Sequence, residues 1–557
     1  MSITEILLEK GLITPEQLAE ALDLHKKDGL RVDRALVQLG HVPEEKLLKV
    51  LGEQLSIPMV DLSTVDIDVE TLRSLPAKLV YRKHLVPVAR SNGELTVATS
   101  DPFDLYAFDE LRLLTGLEIK PVLAPQEEID KVIKANYGVG GDTVDEMMST
   151  DDLEVVNGET RAESEDLLEM AQEASVIKLV NEFFLEALNE RASDIHVEPY
   201  EKDLIIRYRI DGVLHLAAVP PQIRRFQAAI ISRIKIMAHL NIAEKRLPQD
   251  GRIKFQVGPK QYDVRVSVIP MLFGEGIVMR ILDKSTVLYT LPQLGMLADN
   301  FGVFNELIQR PHGIILVTGP TGCGKTTTLY AALQAIVSPE LKLLTVEDPV
   351  EYHMDGVNQI QVHPKIGFTF AVGLRHILRH DPDVVMIGEI RDLETAEAAI
   401  QASLTGHLVM STLHTNDACS AATRLLDMGV EPFLVTSTLE AAMAQRLVRM
   451  ICQECKEAYE ADPEKLPADL KPRKGDILYR GTGCRKCRGT GYRGRTGLFE
   501  LMVADDPVRE KIMARAPANE IIRTARAGGL RLLREDGWQK VRAGITTPEE
   551  VIRSSKA

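Results

Sequence analysis

Ile314-Ile-Leu-Val-Thr-Gly319-Pro-Thr-Gly-Cys-Gly324-Lys325-Thr326 is the stretch that decides how this chain is read. An apolar run of strand character ends at Thr318, a glycine-rich segment follows, and helical patterning begins at Lys325. Strand, G-x-x-x-x-G-K-[ST] and helix in that order form a phosphate-binding loop. Each part has a chemical reason. Glycines let successive backbone N–H groups wrap phosphate oxygens, and the helix N-terminus adds positive potential. Lys325 has the reach for β- and γ-phosphates, and the Thr326 hydroxyl can ligate Mg²⁺. The expected nucleotide-binding residues are Gly319, Pro320, Thr321, Gly322, Cys323, Gly324, Lys325, Thr326 and Thr327. Cys323 reads as a small filler within the loop.

Two further apolar runs end in acids. Asp383-Val-Val-Met-Ile-Gly-Glu389 places a carboxylate where a phosphate-loop enzyme needs one for Mg²⁺ and the attacking water. Leu343-Leu-Thr-Val-Glu347-Asp-Pro-Val-Glu351 is a second such strand end, and Glu351 is a candidate base. By spacing alone it serves equally well as a turn-capping carboxylate.

The bulk composition bounds what surrounds this centre. At 557 residues with 45% apolar content, the chain predicts three or four ordinary domains. A net charge of −15 argues against a nucleic-acid coat. No stretch approaches 18 continuous apolar residues, and the start lacks signal-peptide order, so a cytoplasmic protein is expected. Reduced cysteines are the rule in that compartment. Four of the six cysteines form Cys452-x₂-Cys455 and Cys484-x₂-Cys487, separated by 28 residues. Two such pairs suit a closed tetrahedral thiolate site, hence structural Zn²⁺. The long gap predicts that the intervening segment folds out. Arg485, Lys486, Arg488, Arg493 and Arg495 make a basic surface around the second pair.

Along the chain, residues 1 to about 60 read as short amphipathic helices. Leu18 and Leu22 recur as Leu47 and Leu51, a 29-residue repeat with helix starts near Pro15 and Pro43. A hairpin is expected over Leu85–Ala89 and Leu95–Thr99, then helices near 104–114 and 125–136. These make an N-terminal module over 1–137. Gly138 to Asp166, with ten acids and one base, reads as a flexible acidic linker. From Leu167 a helix leads into strands at Asp194–Glu198, Leu204–Ile210 and Val213–Ala217, a helix over about 222–240, and strands around Tyr262–Val268 and Ile277–Leu282. This predicts an α+β domain over 167–288. Alternating strands and helices predict an α/β P-loop domain over 289–557, with the cysteine module at about 450–490 and a helical end.

Taken together, Gly319–Thr326, Glu347-Asp-Pro-Val-Glu351, Gly388-Glu389-Ile-Arg-Asp392 and Thr405-Gly-His407…Thr412-Leu-His414 resemble the secretion and pilus traffic ATPases. Those are the motors of type II secretion and of type IV pilus extension and retraction. Ala192-Ser-Asp-Ile-His196 and Arg246-Leu-Pro-Gln-Asp-Gly-Arg252 extend the resemblance, which covers about 167–557. It implies a RecA-like ATPase domain after a PAS-like α+β domain, ATP and Mg²⁺ as ligands, and a homohexamer. Nucleotide would lie between those two domains. It implies Glu389 as the Walker B acid, Glu351 as a water-activating base, and His407 with His414 as a histidine box near the γ-phosphate. Arg265, Arg280, Arg375 and Arg379 are implied to complete the site. The tetracysteine element is similar to that of secretion and pilus-extension members.

The N-terminal repeat resembles a module that binds cyclic di-GMP in some members. That module has an Arg-Leu-Gly start and a Gln end in each half; here the second half offers Arg31-Val-Asp33 and Gln54, and the first half departs further with Ser2-Ile-Thr4 and His25. Docking to an inner-membrane partner's cytoplasmic domain is therefore the expected role. The expected function is to power pseudopilus assembly and protein export in type II secretion. The alternatives are type IV pilus extension, a DNA-translocating motor and a non-hydrolysing nucleotide-sensing scaffold. Met428-Gly-Val-Glu-Pro-Phe-Leu-Val435 leans toward secretion.

Overall fold

The computed structural model describes residues 3–137, 173–283 and 289–555, apart from 29, 63, 64, 66, 73, 92 and 474. The expected acidic linker and the first residues of the helix expected from Leu167 lie outside the described residues. The chain divides into two compact units, Met1–Asp283 and Lys284–Ala557.

The first unit opens with helices Ile3–Glu9, Pro15–Asp28, Val32–Gln38 and Glu44–Leu55. Pro15 is a first helical residue and Pro43 an N-cap, positions where its fixed φ helps and its missing N–H costs nothing. The two halves of the repeat are buried unequally. Leu47 and Leu51 are core residues, whereas Leu22 is exposed. Strands β1 (Leu85–Ser91), β2 (Glu94–Thr99) and β3 (Glu118–Leu123) then form a small sheet. The expected hairpin is β1–β2, and helices Leu105–Thr115 and Gln126–Tyr137 complete this layer.

Helix Ala174–Asn189 precedes β4 (Asp194–Pro199), β5 (Leu204–Ile210) and β6 (Val213–Leu216). Helix Gln227–Met237 precedes β7 (Gln249–Val257), β8 (Lys260–Met271) and β9 (Gly274–Asp283). The six strands form an antiparallel sheet in the order β6-β5-β4-β9-β8-β7. Ile195, Val197, Ile206, Tyr208, Val264, Val266 and Met279 pack with Phe183, Leu179 and Ile230 of the two helices. Alternation along each strand therefore leaves the opposite sheet face polar. β7 had no counterpart in the sequence reading. It is an edge strand in which Gly251, Ile253 and Phe255 alternate with Asp250, Arg252, Lys254 and Gln256, and only Ile253 of them is a buried core residue.

The second unit is a three-layer α/β sandwich. Its strands are β10 (Gly313–Thr318), β11 (Leu343–Glu347), β12 (Val357–Gln361), β13 (Val384–Ile387), β14 (Leu408–Leu413) and β15 (Leu439–Ile451), followed by β16 (Lys456–Glu460), β17 (Ile477–Gly481) and β18 (Tyr492–Val503). Seven of them form one sheet, β12-β11-β13-β14-β10-β15-β18, parallel except for the β15–β18 pair. Every residue of β10 and β14 is buried, as parallel strands covered on both faces must be. Ile314, Leu316, Val385 and Val409 face one layer of helices, while Ile315, Val317, Met386 and Met410 face the other.

Candidate active site and metal centre

Three adjacent parallel strands set the geometry of the site. β10 lies between β14 and β15. The loop after Thr318, His414 after β14, and Gln445 with Arg446 in β15 therefore gather at one edge of the sheet. Gly319, Gly322 and Gly324 have φ of 150°, 80° and 92°, which side chains rarely adopt. Space forbids side chains at two of them as well. A Cβ on Gly319 would stand 2.6 Å from Cys323 Sγ and 2.7 Å from the Gln445 carbonyl oxygen, and one on Gly324 would stand 2.9 Å from Gln445 Nε2. Glycine thus lets the loop pack flat against β15 with its amides free to turn inward.

Helix Lys325–Ile336 starts at the loop's end, with Gly324 as N-cap. Lys325 is buried and its Nζ donates to the Gly319 and Pro320 carbonyls at 2.7 and 3.2 Å. Burial pushes its ammonium pKa down, while the charges of Cys323 and Glu389 oppose that. Lysine next to a loop of N–H donors makes an anion site. Cys323 is buried, and burial raises its thiol pKa, consistent with a filler.

Glu389 follows β13, which is separated from β10 by β14 alone. Its Oε2 lies 3.4 Å from His414 Nε2, and its Oε1 pairs with Arg391. The structure therefore brings Lys325, Glu389 and His414 to one locus. Glu347 ends β11 and is 2% exposed. It accepts hydrogen bonds from Tyr330 Oη and from Thr345 Oγ1, the latter at 2.5 Å, and burial raises its pKa. Glu351 is half-buried, and its N–H donates to Tyr330 Oη at 3.4 Å. Tyr330, on the loop's own helix, thus ties the Glu347 carboxylate and the Glu351 backbone to the phosphate-loop helix.

A second cluster lies where β15 ends and β18 begins. Cys452 follows Ile451, and the Cys484 and Cys487 pair precedes Tyr492. Their Sγ atoms and that of Cys455 all lie within 4.8 Å of one another. Cys452–Cys484 and Cys455–Cys487 are each 3.7 Å apart. Four sulfurs about 2.3 Å from a central ion have edges of about 3.8 Å, whereas a disulfide needs about 2.05 Å. The donors therefore fit one tetrahedral soft-metal ion with no open position. Amides of Cys484 and Gly491 donate to Cys487 Sγ at 3.1 and 3.3 Å, which favours its thiolate. The segment between the pairs does not fold out. It returns as the β16–β17 ribbon and packs Leu470 and Leu478 against Trp538, Val541 and Val551 of the C-terminal helices.

Residues 169–553 match the model of the type II/IV secretion system protein family. The chain belongs to that family. Residues 55–143 match the MshEN domain. The type IV pilus assembly ATPase PilB of Myxococcus xanthus is 45% identical over 98% of both chains. The type II secretion system protein E of Xanthomonas campestris is 45% identical over 99% of this chain and 98% of its own. The type II secretion system ATPase E of Vibrio cholerae is 56% identical over 71% of this chain and 78% of its own. In fold, the ATPase DotB of Yersinia pseudotuberculosis is similar over 68% of this chain and 93% of its own, with a TM-score of 0.51 and 21% identity. The chain is an ATPase of this family, and such chemistry uses nucleotide with Mg²⁺. Among the described residues, no helix is long and apolar enough to cross a membrane.

The remaining residues implied by the family pattern lie on other elements. Arg265 and Arg280 are cross-strand partners on β8 and β9, on the polar face of the antiparallel sheet. Arg375, on helix Phe370–Ile377, pairs with Glu394, and Arg379 donates to His376 Nδ1 at 2.8 Å. His407 does not join His414. It precedes β14 and bonds the Ala402 carbonyl through Nδ1 at 2.8 Å, capping helix Leu393–Leu404. β14 runs its full length between them, about 20 Å. Sequence reasoning missed Gln445, Arg446 and Tyr330. A faint signal was present, since Gln445-Arg446 is a polar pair inside an apolar run.

Proposed function

We propose that this chain is the ATP-hydrolysing motor of a type II secretion system. It would act as a homohexamer on the cytoplasmic side of the inner membrane, converting hydrolysis into pseudopilus assembly and protein export. The observation that carries this is the convergence of Lys325, Glu389 and His414 at one sheet edge of a chain 56% identical to the Vibrio cholerae enzyme. In this assignment Lys325 and Thr326 hold phosphate and Mg²⁺. Glu389 is the acid beside the metal, Glu351 polarises water and His414 faces the γ-phosphate. Arg265, Arg280, Arg375 and Arg379 supply charge to the transferring phosphate, and guanidinium suits this because it stays charged and forked. His407 has no part in it. Cys452, Cys455, Cys484 and Cys487 hold one structural Zn²⁺.

The N-terminal module (1–137) docks a platform protein's cytoplasmic domain. Arg31, the residue marked for cyclic di-GMP by resemblance, is committed to Asp33 at 2.5 Å and Asp101 at 2.7 Å, and lies over the Phe103 ring. That engagement favours docking over dinucleotide binding.

Type IV pilus extension is the second reading, favoured by the full-length likeness to the Myxococcus pilus ATPase. Deletion of the gene, complemented by wild type or Lys325→Ala, tests both. The first reading expects lost exoprotein secretion with surface pili intact, restored by wild type alone. Lost pili with intact secretion selects the second.

A further inference from the structure

Tyr330 is the largest fully buried side chain among the described residues. It carries a hydroxyl into the core, and a buried hydroxyl needs a partner. It stands five positions after Lys325 on helix Lys325–Ile336, about 7.5 Å along the axis. Its Oη donates to Glu347 Oε2 and accepts the Glu351 N–H at 3.4 Å. Its ring meets that of Tyr352 edge-on, with centroids 4.6 Å apart. β11 and β12 pair in parallel with Thr345 opposite Gln359, and Glu347 follows two positions on, on the same face as Thr345. Gln359 Nε2 donates to the Tyr352 carbonyl at 3.0 Å and stands 3.3 Å from both Tyr330 Oη and Glu347 Oε1. Glu351 and Tyr352 are thus gripped from two sides, by Tyr330 of the phosphate-loop helix and by Gln359 of β12.

Glu347 is held by hydroxyl and amide donors, from Tyr330, Thr345 and Gln359. An apolar residue would fill this space at lower cost. What the carboxylate adds is direction. It fixes the Tyr330 O–H on Oε2, which leaves the oxygen lone pairs for the Glu351 and Gln359 donors and strengthens them as acceptors. Burial, and then the Glu347 charge, push the phenol pKa up, so Oη keeps the proton that it donates.

We infer that Tyr330 is a positioning residue for hydrolysis, whose hydroxyl, oriented by Glu347, sets Glu351 from the same helix that begins with Lys325. This rests on the proposed role of Glu351 in polarising water. One rigid element then carries both the lysine that holds phosphate and the hydroxyl that places the base, so the two keep their spacing when the loop takes up nucleotide.

Tyr330→Phe keeps the ring on Tyr352 and removes only the hydroxyl. In the full-length protein kcat should fall about ten-fold, the worth of one lost buried hydrogen bond, while KM for ATP and the Kd of a fluorescent nucleotide stay at wild-type values. If the hydroxyl acts through Glu351, its loss should cost nothing further once Glu351 is replaced. Tyr330→Phe combined with Glu351→Gln should therefore turn over as slowly as Glu351→Gln alone in single-turnover assays, where independent effects would multiply. Glu347→Gln repeats the cycle from the other end of the hydrogen bond, with the same loss in kcat alone, and carries the test if Tyr330→Phe does not fold. Losses that multiply, or a KM that rises as kcat falls, assign Tyr330 to general bracing of the core and overturn the inference. Wild-type kcat in Tyr330→Phe beside an impaired Glu351→Gln also overturns it, while leaving the Glu351 assignment standing. Wild-type turnover in Glu351→Gln overturns both.

Discussion

Thr328 Oγ1 donates to Gln445 Oε1 at 2.7 Å, linking the phosphate-loop helix to β15 across 117 residues of sequence. Both side chains are buried, at 0% and 2% exposure. The same glutamine walls the loop at Gly319 through its carbonyl and at Gly324 through its amide. Gln445→Ala leaves the Thr328 hydroxyl without its acceptor and opens space beside the loop. A loss of about 1–3 kcal/mol in urea unfolding is expected, the cost of an unpaired buried polar group. KM for ATP should rise with it. An unchanged midpoint and KM would show that β15 does not brace the loop.

Glu389 sits 3.4 Å from His414 and within the field of Lys325. Glu389→Gln keeps the shape and removes the charge. Fluorescent-nucleotide binding should persist while phosphate release falls about a hundred-fold or more, the scale of a positioned acid–base group. Full turnover in this variant would take Glu389 out of the chemistry.

The two halves of this centre were unequally legible in the sequence. Lys325 and Glu389 each lie in a contiguous strand-and-loop segment, so local pattern finds them. His407 and His414 look alike because they sit seven positions apart, yet the strand between them sends one to each end of the sheet. Gln445 reaches the loop only because β15 pairs with β10 in parallel, a long-range fact that no local periodicity carries. The register that sets Arg252 opposite Arg265 is likewise a long-range fact, although the alternation of Ile253 and Phe255 with Arg252 and Lys254 marks the strand itself.

Glu550 predicts an acid-labile closure of the C-terminal helices. It is 2% exposed on helix Pro548–Ser555. Burial pushes its carboxyl up, but hydrogen bonds from Arg553 and Arg449 outweigh burial and bring it from 4.5 to about 2. Arg449 lies on β15, donating its N–H at 3.0 Å and Nη2 at 2.7 Å. A carboxyl depressed on folding stabilises fully above its unfolded value and loses that contribution as pH falls through the folded one. About 3 kcal/mol should therefore disappear between pH about 4.5 and about 2. Glu550→Gln should be less stable at neutral pH and should lose less on acidification. Parallel stability–pH curves for the two proteins would contradict this.

The tetracysteine site predicts one Zn²⁺ per chain and a local consequence of its removal. The β16–β17 ribbon between the two pairs buries Leu470 and Leu478 against Trp538, the single tryptophan of the chain. Trp538 is 3% exposed, and its Nε1 donates to Asp469 at 3.0 Å. Its emission therefore reports directly on that ribbon. Structural zinc contributes about 10–16 kcal/mol of apparent binding free energy in small modules, so a ribbon closed by it should not persist without it. Strong chelation of the full-length protein should red-shift the tryptophan emission in step with zinc release. The phosphate loop is held by β10, β14, β15 and the helix after it, none of which contains a cysteine of the cluster, although β15 ends just before Cys452. Nucleotide binding should therefore survive chelation with less than about a tenfold change in Kd, roughly 1.4 kcal/mol. Cys484→Ser should reproduce the shifted emission without chelator. Zinc-free protein with native emission would refute the metal, whereas shifted emission with abolished nucleotide binding would show that β15 transmits the disorder to Gln445.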